Sequence, residues 1–181
     1  CFHSSSTLMT KNGTVLTCDD ITKMLKDNQQ VFVRGYHDDT LTDVEIERVI
    51  ITPIIGSKAM CTIDKCILTP NHPIFFNNQW IHPHKIVKPV EMNDIGYIFN
   101  IILGVRDGQR SQAIIVNNHT CVCLGHGITD GSDAEDLFWG TEKVIKCFEH
   151  SFGNDKIIET QIANVRDSKT NMTTGLTFFN E

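Results

Sequence analysis

The sequence contains no apolar run approaching the roughly 18 residues that a membrane-crossing helix requires. Its longest such stretches, VIITPII and YIFNIIL, are seven residues each, so no membrane span is expected. It also lacks a basic block. With 16 Lys and Arg against 22 Asp and Glu, the net charge is -6, a balance that repels phosphate backbones and argues against nucleic acid as the main partner. No charged-then-apolar leader opens the chain, which counts for little, since residues upstream of Cys1 can have been removed. Paired Cys-x2-Cys spacings are missing too. The seven cysteines are odd in number and do not form the framework of a small disulfide-stapled domain. Cys18, Cys61, Cys66 and Cys147 read instead as small buried hydrophobes in a reducing compartment, which points to an intracellular, cytoplasmic protein. Three Asn-x-Thr triplets, at Asn12, Asn118 and Asn171, arise by chance in an Asn- and Thr-rich sequence.

What is present is globular. The 181 residues are 40% hydrophobic, enough for one well-buried domain or for one domain with an appendage. Strand signals fill the first two thirds: TVLT at 14–17, QVFVRGY at 30–36, VEIERVIIT at 44–52, AMCTID at 59–64 and CILT at 66–69, then YIFNIIL at 97–103, QAIIV at 112–116 and TCVCL at 120–124. These segments are short, β-branched and aromatic, and turn residues separate them. A short helix is expected at 19–27, capped by Asp19 or Asp20, with Ile21, Met24 and Leu25 on one face. After Gly131 the character changes. GTEKVIKCFEHS predicts a helix capped by Thr141, with Val144, Ile145 and Phe148 inward and Gly153 past its end. A strand KIIETQIANV and a last segment GLTFF follow. The expected organisation is a β core over 1–130 and an α+β extension over 131–181, packed on or beside it.

Three features far apart in sequence carry chemistry. They are Cys1, the turn Thr69-Pro70-Asn71-His72, and CLGHG at 123–127. A thiol is a stronger nucleophile than a hydroxyl and ionises near neutral pH, so Cys1 can attack the carbonyl of a residue preceding it. The product is a thioester on the Cys1 side chain and a free α-amino group. His72, with an ordinary pKa near 6.5, suits protonation of the departing nitrogen. Thr69, three residues earlier, can hold the scissile amide or stabilise an oxyanion through its hydroxyl or backbone N–H. Pro70 fixes the turn between them. Each residue also has an ordinary explanation. Cys1 can be a packed hydrophobe, His72 a turn residue bonded to backbone, and Asn100 a strand residue bonded to its sheet. Cys121, Cys123 and His126, with His82 and His84, are ligand types for zinc, but their spacing is not that of a structural site. No cofactor or physiological metal is expected, although Cys1, His72 and a neighbour can form an inhibitory zinc site. His119 and His150 read as structural or exposed.

CFHSSSTLMTKNG, ILTPNHPIFFNNQWI, YIFNIILG and SQAIIVNNHTCVCLGHG occur in this order. Together they resemble the motifs of the Hint superfamily, the self-processing fold of inteins, hedgehog C-terminal domains and bacterial intein-like domains. VNNHTCVCLGHG followed by LFWGTEKVIK is similar to the Vint subfamily, and the resemblance spans nearly the whole chain. It implies an all-β Hint fold, a horseshoe-like pseudo-twofold β body, with a small C-terminal α+β appendage. It also implies Cys1 as nucleophile, His72 as general acid, Thr69 as orienter, His126 as helper, and Asn100 where relatives often carry Asp.

The resemblance separates outcomes. A splicing intein ends in His-Asn, and its Asn cyclises. Here the aligned junction reads His126-Gly127-Ile128, and glycine has no amide to cyclise. Cleavage before Cys1 alone is expected. Its substrate is the N-terminal flanking polypeptide in cis, and water or a small or protein nucleophile resolves the thioester in a monomer. Sterol transfer, as in hedgehog, needs an aspartate that Glu45, Glu47 and Thr52 do not supply. Full splicing, and an inactive fold serving as an interaction module, are the alternatives.

Overall fold

Two strands of β-branched residues, Tyr97–Leu103 and Thr40–Pro53, form the spine of the protein, pairing antiparallel from Tyr97 opposite Pro53 to Leu103 opposite Ile46. Asn100 is the one polar residue in the middle of the first strand, and it is buried. Around this spine a 14-stranded sheet curls on itself, running from Val90–Met92 at one end to Gln79–Ile81 at the other. The computed structural model describes residues 1–179, and among these the α-helices are two, both short. This is the all-β body with a small α+β C-terminal part that the sequence predicts.

Paired asparagines set the hairpins. Asn77 and Asn78 have φ of 48° and 66°, and Asn117 and Asn118 have φ of 46° and 68°. Two consecutive positive φ values match the right-handed twist of the flanking strands, and asparagine tolerates them. The second turn returns the chain from Ala113–Val116 into His119–Val122, the strand that later contributes a carbonyl to the site.

The chain's first strand, Phe2–His3, lies between Tyr97–Leu103 and Cys66–Leu68, with Phe2 opposite both Phe99 and Leu68. The two faces of the sheet differ here. Phe2, Phe99 and Ile101 point into the main core, where all are buried. Residues of the other parity, Ile50 and Ile102, join Leu124 under the C-terminal segment. There the helix Glu142–Phe152 contributes Val144, Ile145 and Phe148, and the strand Ile157–Glu159 contributes Ile158. Burying each such side chain stabilises the fold by roughly 1.5–3 kcal/mol. Ile157–Glu159 also enters the sheet itself, pairing parallel with Val49–Ile51 of the spine.

Local signals place most elements. The second helix starts and stops as expected, with the Thr141 hydroxyl accepting from Lys143 N–H and Gly153 closing it at a φ of 57°. The first helix is Cys18–Lys26, and its cap is Thr17, not Asp19 or Asp20. Thr17 bonds the Asp20 N–H while the Asp20 carboxylate bonds back to Thr17 N–H, a reciprocal box that a cap at Asp20 would forgo. KIIETQIANV breaks into Ile157–Glu159 and Gln161–Arg166. The break is at buried Thr160, whose hydroxyl donates to the carbonyls of Gln161 and Phe179. Gln161–Arg166 then forms a separate hairpin with Thr173–Phe179.

Candidate active site

Cys1 lies at the end of the strand Phe2–His3, where the sheet register carries it opposite Asn100. Its α-nitrogen donates to Thr69 Oγ1 at 2.8 Å and is 2.6 Å from His72 Nδ1. In a longer chain that nitrogen would be an amide nitrogen. Asn100 Nδ2 donates to Cys1 Sγ at 3.0 Å. Cys1, Thr69, His72 and Asn100 therefore meet around one atom group, although 99 residues separate the first from the last.

The turn after Cys66–Leu68 makes this possible. Thr69 N–H donates to the carbonyl of Cys1 itself, and His72 N–H donates to the Thr69 carbonyl. The Thr69 amide is therefore spent on holding Cys1, which leaves its hydroxyl to face the nitrogen. On its far side, His72 Nε2 is 2.7 Å from the Val122 carbonyl. A carbonyl only accepts, so Nε2 carries the hydrogen, and neutral His72 presents a bare Nδ1 to Cys1. The Phe2 ring packs on the imidazole with centroids 4.4 Å apart. Nothing in a sequence marks a backbone carbonyl, and Val122 was not among the residues expected at the site.

A family model described as a Hint-domain, Vint, matches residues 1–175. The chain belongs to the Vint family of Hint domains. Among solved structures it is similar to the bacterial intein-like domain from Clostridium thermocellum, with 12% identity, a TM-score of 0.47, and coverage of 67% of this chain and 96% of that one. No curated protein matches it. Hint domains include self-processing domains.

In this Vint domain the four residues open into a cleft of about 810 Å³. His126 also lines it but makes no hydrogen bond to the other four. Its Nδ1 accepts from Ile128 N–H at 3.0 Å. His126 thus pins the loop that follows it. Across the cleft, Asp133 ties this loop to the 82–85 turn by accepting from His82 N–H and Lys85 Nζ, both at 2.9 Å. Thr52 lines the cleft as well, whereas Glu47 is engaged by Arg48 and Arg110. Of the zinc-type residues, Cys123, His126 and His82 line the cleft, and the His82 and His84 rings are 5.5 Å apart. The Cys121 thiol packs 4.0 Å from that of Cys66, and among the described residues no three His, Cys, Asp or Glu gather to hold a metal ion. His119 pairs with Asp64.

Burial governs the electrostatics. Desolvation lowers the Cys1 amine to about 4. His72 is held well below 6.5, first by burial and then by the charge of that amine, against a smaller upward pull from the Val122 carbonyl. Burial likewise brings His126 to about 4. An imidazole that ionises near 6.5 unfolded and near 4 folded binds its proton more readily in the unfolded chain. Its stabilising contribution is complete above pH 6.5 and is lost as pH falls towards 4, in total on the order of 3 kcal/mol. Melting temperatures measured from pH 7 to 5 should fall with acidity, and His126→Gln should flatten that dependence. An unchanged slope in the variant would remove His126 as its source.

Gly140 fills the space behind this histidine. A Cβ there would lie 2.8 Å from the Asp136 carbonyl oxygen and 2.9 Å from His126 Cε1. Both neighbours are held, one as backbone and one by its hydrogen bond from Ile128 N–H. Gly140→Ala should lower stability by about 1–3 kcal/mol in denaturant unfolding, and a neutral result would mean that the loop yields freely.

Proposed function

We propose that this Vint domain cleaves the peptide bond before Cys1 by a single-turnover acyl shift, releasing the polypeptide upstream. The observation that supports it most is the pair of partners on the Cys1 nitrogen, Thr69 Oγ1 at 2.8 Å and His72 Nδ1 at 2.6 Å. An amide nitrogen carries one hydrogen. The Thr69 hydroxyl accepts it, which leaves His72 beside the face where the nitrogen lone pair develops as the carbonyl carbon becomes tetrahedral.

The thiol proton leaves Sγ for neutral His72, and Asn100 Nδ2–H steadies the thiolate. Sulfur bonds to the carbonyl carbon, the C–N bond breaks, and His72 Nδ1–H passes the proton to the leaving nitrogen. The S–H hydrogen has become an N–H hydrogen, and an amide has become a thioester. Water then adds to the thioester carbonyl, the C–S bond breaks, the thiol is restored, and the upstream chain ends in a carboxylate. A small or protein nucleophile can take the place of water. No cofactor enters any step, and the catalyst and its substrate are one monomeric chain.

The downstream side supports cleavage without splicing. Gly127 has no side-chain amide, and its N–H donates to the Gly140 carbonyl at 2.7 Å, so the chain runs on into structure that packs against the sheet. The upstream product therefore leaves alone. A precursor carrying native residues upstream should shorten at Cys1 at neutral pH, and dithiothreitol should hasten this by attacking the thioester and remaining on the upstream fragment. A precursor that stays intact with and without the thiol overturns the proposal, and a ligated flanking product identifies splicing instead.

A further inference from the structure

We propose that the C-terminal hairpin, Gln161–Arg166 with Thr173–Phe179, is the wall against which the residues upstream of Cys1 bind as an extended peptide. The proposal rests on the processing reading for the existence of that peptide, and the sheet gives its direction. Phe2 is opposite Phe99 and His3 opposite Ile98, so a residue before Cys1 would continue the strand opposite Ile101. That slot is taken. The Ile101 carbonyl already accepts from Leu124 N–H at 3.3 Å, and an incoming strand cannot pair there. The upstream chain must bend out of the sheet at Cys1.

Only one face is open to it. On the side of Phe2, Phe99 and Ile101 lies the closed main core. On the side of Ile98 and Asn100 lies the cleft, and the hairpin lines its far side with Asn164, Arg166, Asn171, Met172 and Thr173. The hairpin is moored to the sheet, since Gln161 Nε2 donates to the Pro53 carbonyl at 2.7 Å and Ile162 packs with Leu176 and Phe178 against the second core cluster. Its cleft residues beyond that mooring are polar and largely exposed. Asparagine amides, a threonine hydroxyl and a guanidinium are the groups that bond the N–H and C=O of an extended backbone whatever its side chains. Met172, 44% exposed, adds one adaptable apolar contact. Four extended residues reach about 13 Å, enough to lie along such a wall. Holding the peptide there keeps the scissile carbonyl at the turn next to Sγ.

The test separates binding from cleavage. A Cys1→Ala precursor with benzoylphenylalanine at the second residue upstream cannot process, so it reports position alone. Irradiation should crosslink it to peptides from 161–173, as read by mass spectrometry. Crosslinks confined to the 82–85 turn or the 133–136 loop, or none at all, overturn the proposal. In the native precursor, an Asn164→Ala, Arg166→Ala double variant should cleave about tenfold more slowly at unchanged melting temperature, and an equal rate also overturns it. A native precursor that fails to cleave while the crosslink forms refutes the processing reading and supports this one.

Discussion

Cys1→Ala in a precursor should abolish cleavage, with a rate at least about a thousandfold below that of the native chain. The magnitude follows from what remains. Thr69, His72 and Asn100 would still surround the amide, but a group that protonates a leaving nitrogen achieves nothing until the carbonyl carbon has been attacked. Water would have to supply that attack without an activated position. Cys1→Ser retains an attacking atom and should cleave slowly, since a hydroxyl ionises far less readily than a thiol. Intact mass measured over days decides the matter, and a Cys1→Ala precursor that shortens at the same bond refutes the assignment of the nucleophile.

His72→Ala should slow cleavage by about a hundredfold to ten-thousandfold, the range for removal of a placed acid–base group, while thiol attack remains possible. Its signature is in the pH profile. Burial holds the His72 pKa well below 6.5, and the working form is the neutral ring paired with the protonated thiol. The native rate should therefore stay level as pH drops through 6.5 and decline only in more acid solution, once Nδ1 takes a proton from solvent. The variant should lose that acid limb. A native profile that breaks at 6.5 would mean that His72 titrates as if exposed and would contradict its bond to Val122. A released domain with a free amine at about 4 should also be more acid-labile than its precursor, whose amide cannot titrate.

The parts of the site that were legible in the sequence are those whose chemistry resides in the side chain. Cys1, Thr69 and His72 stand out because a nucleophile, a hydroxyl and an acid–base imidazole recur in motifs of one order, and Asn100 because it is the one polar residue within YIFNIIL. His126 was read as a helper from the resemblance, and the structure shows its Nδ1 accepting from Ile128 N–H; side-chain identity says what a residue can bond, not which partner reaches it first. Val122 and Leu124 act through backbone atoms, which are the same in every residue, and so left no trace. The same holds for the strands Phe2–His3, Ile74–Phe76 and Val90–Met92, two or three residues long and too short to display an alternation. The hairpin and Cys1 line one cleft only because the sheet is folded, and no local pattern records a residue some 160 positions away.

The parallel pairing of Ile157–Glu159 with Val49–Ile51 has a consequence for timing. A ribosome makes a chain from its N-terminal end at about 5–20 residues per second, so within this domain Cys1 emerges well before the strands that complete its cleft. Until residues 157–173 have left the exit tunnel, the spine lacks a neighbour and the cleft lacks its far side. A nascent chain therefore carries Cys1 in an unfinished setting for several seconds, the time taken to make the rest of the domain. The order of the strands thus acts as a clock: the cleft at the first residue is complete only when the last strands have been made.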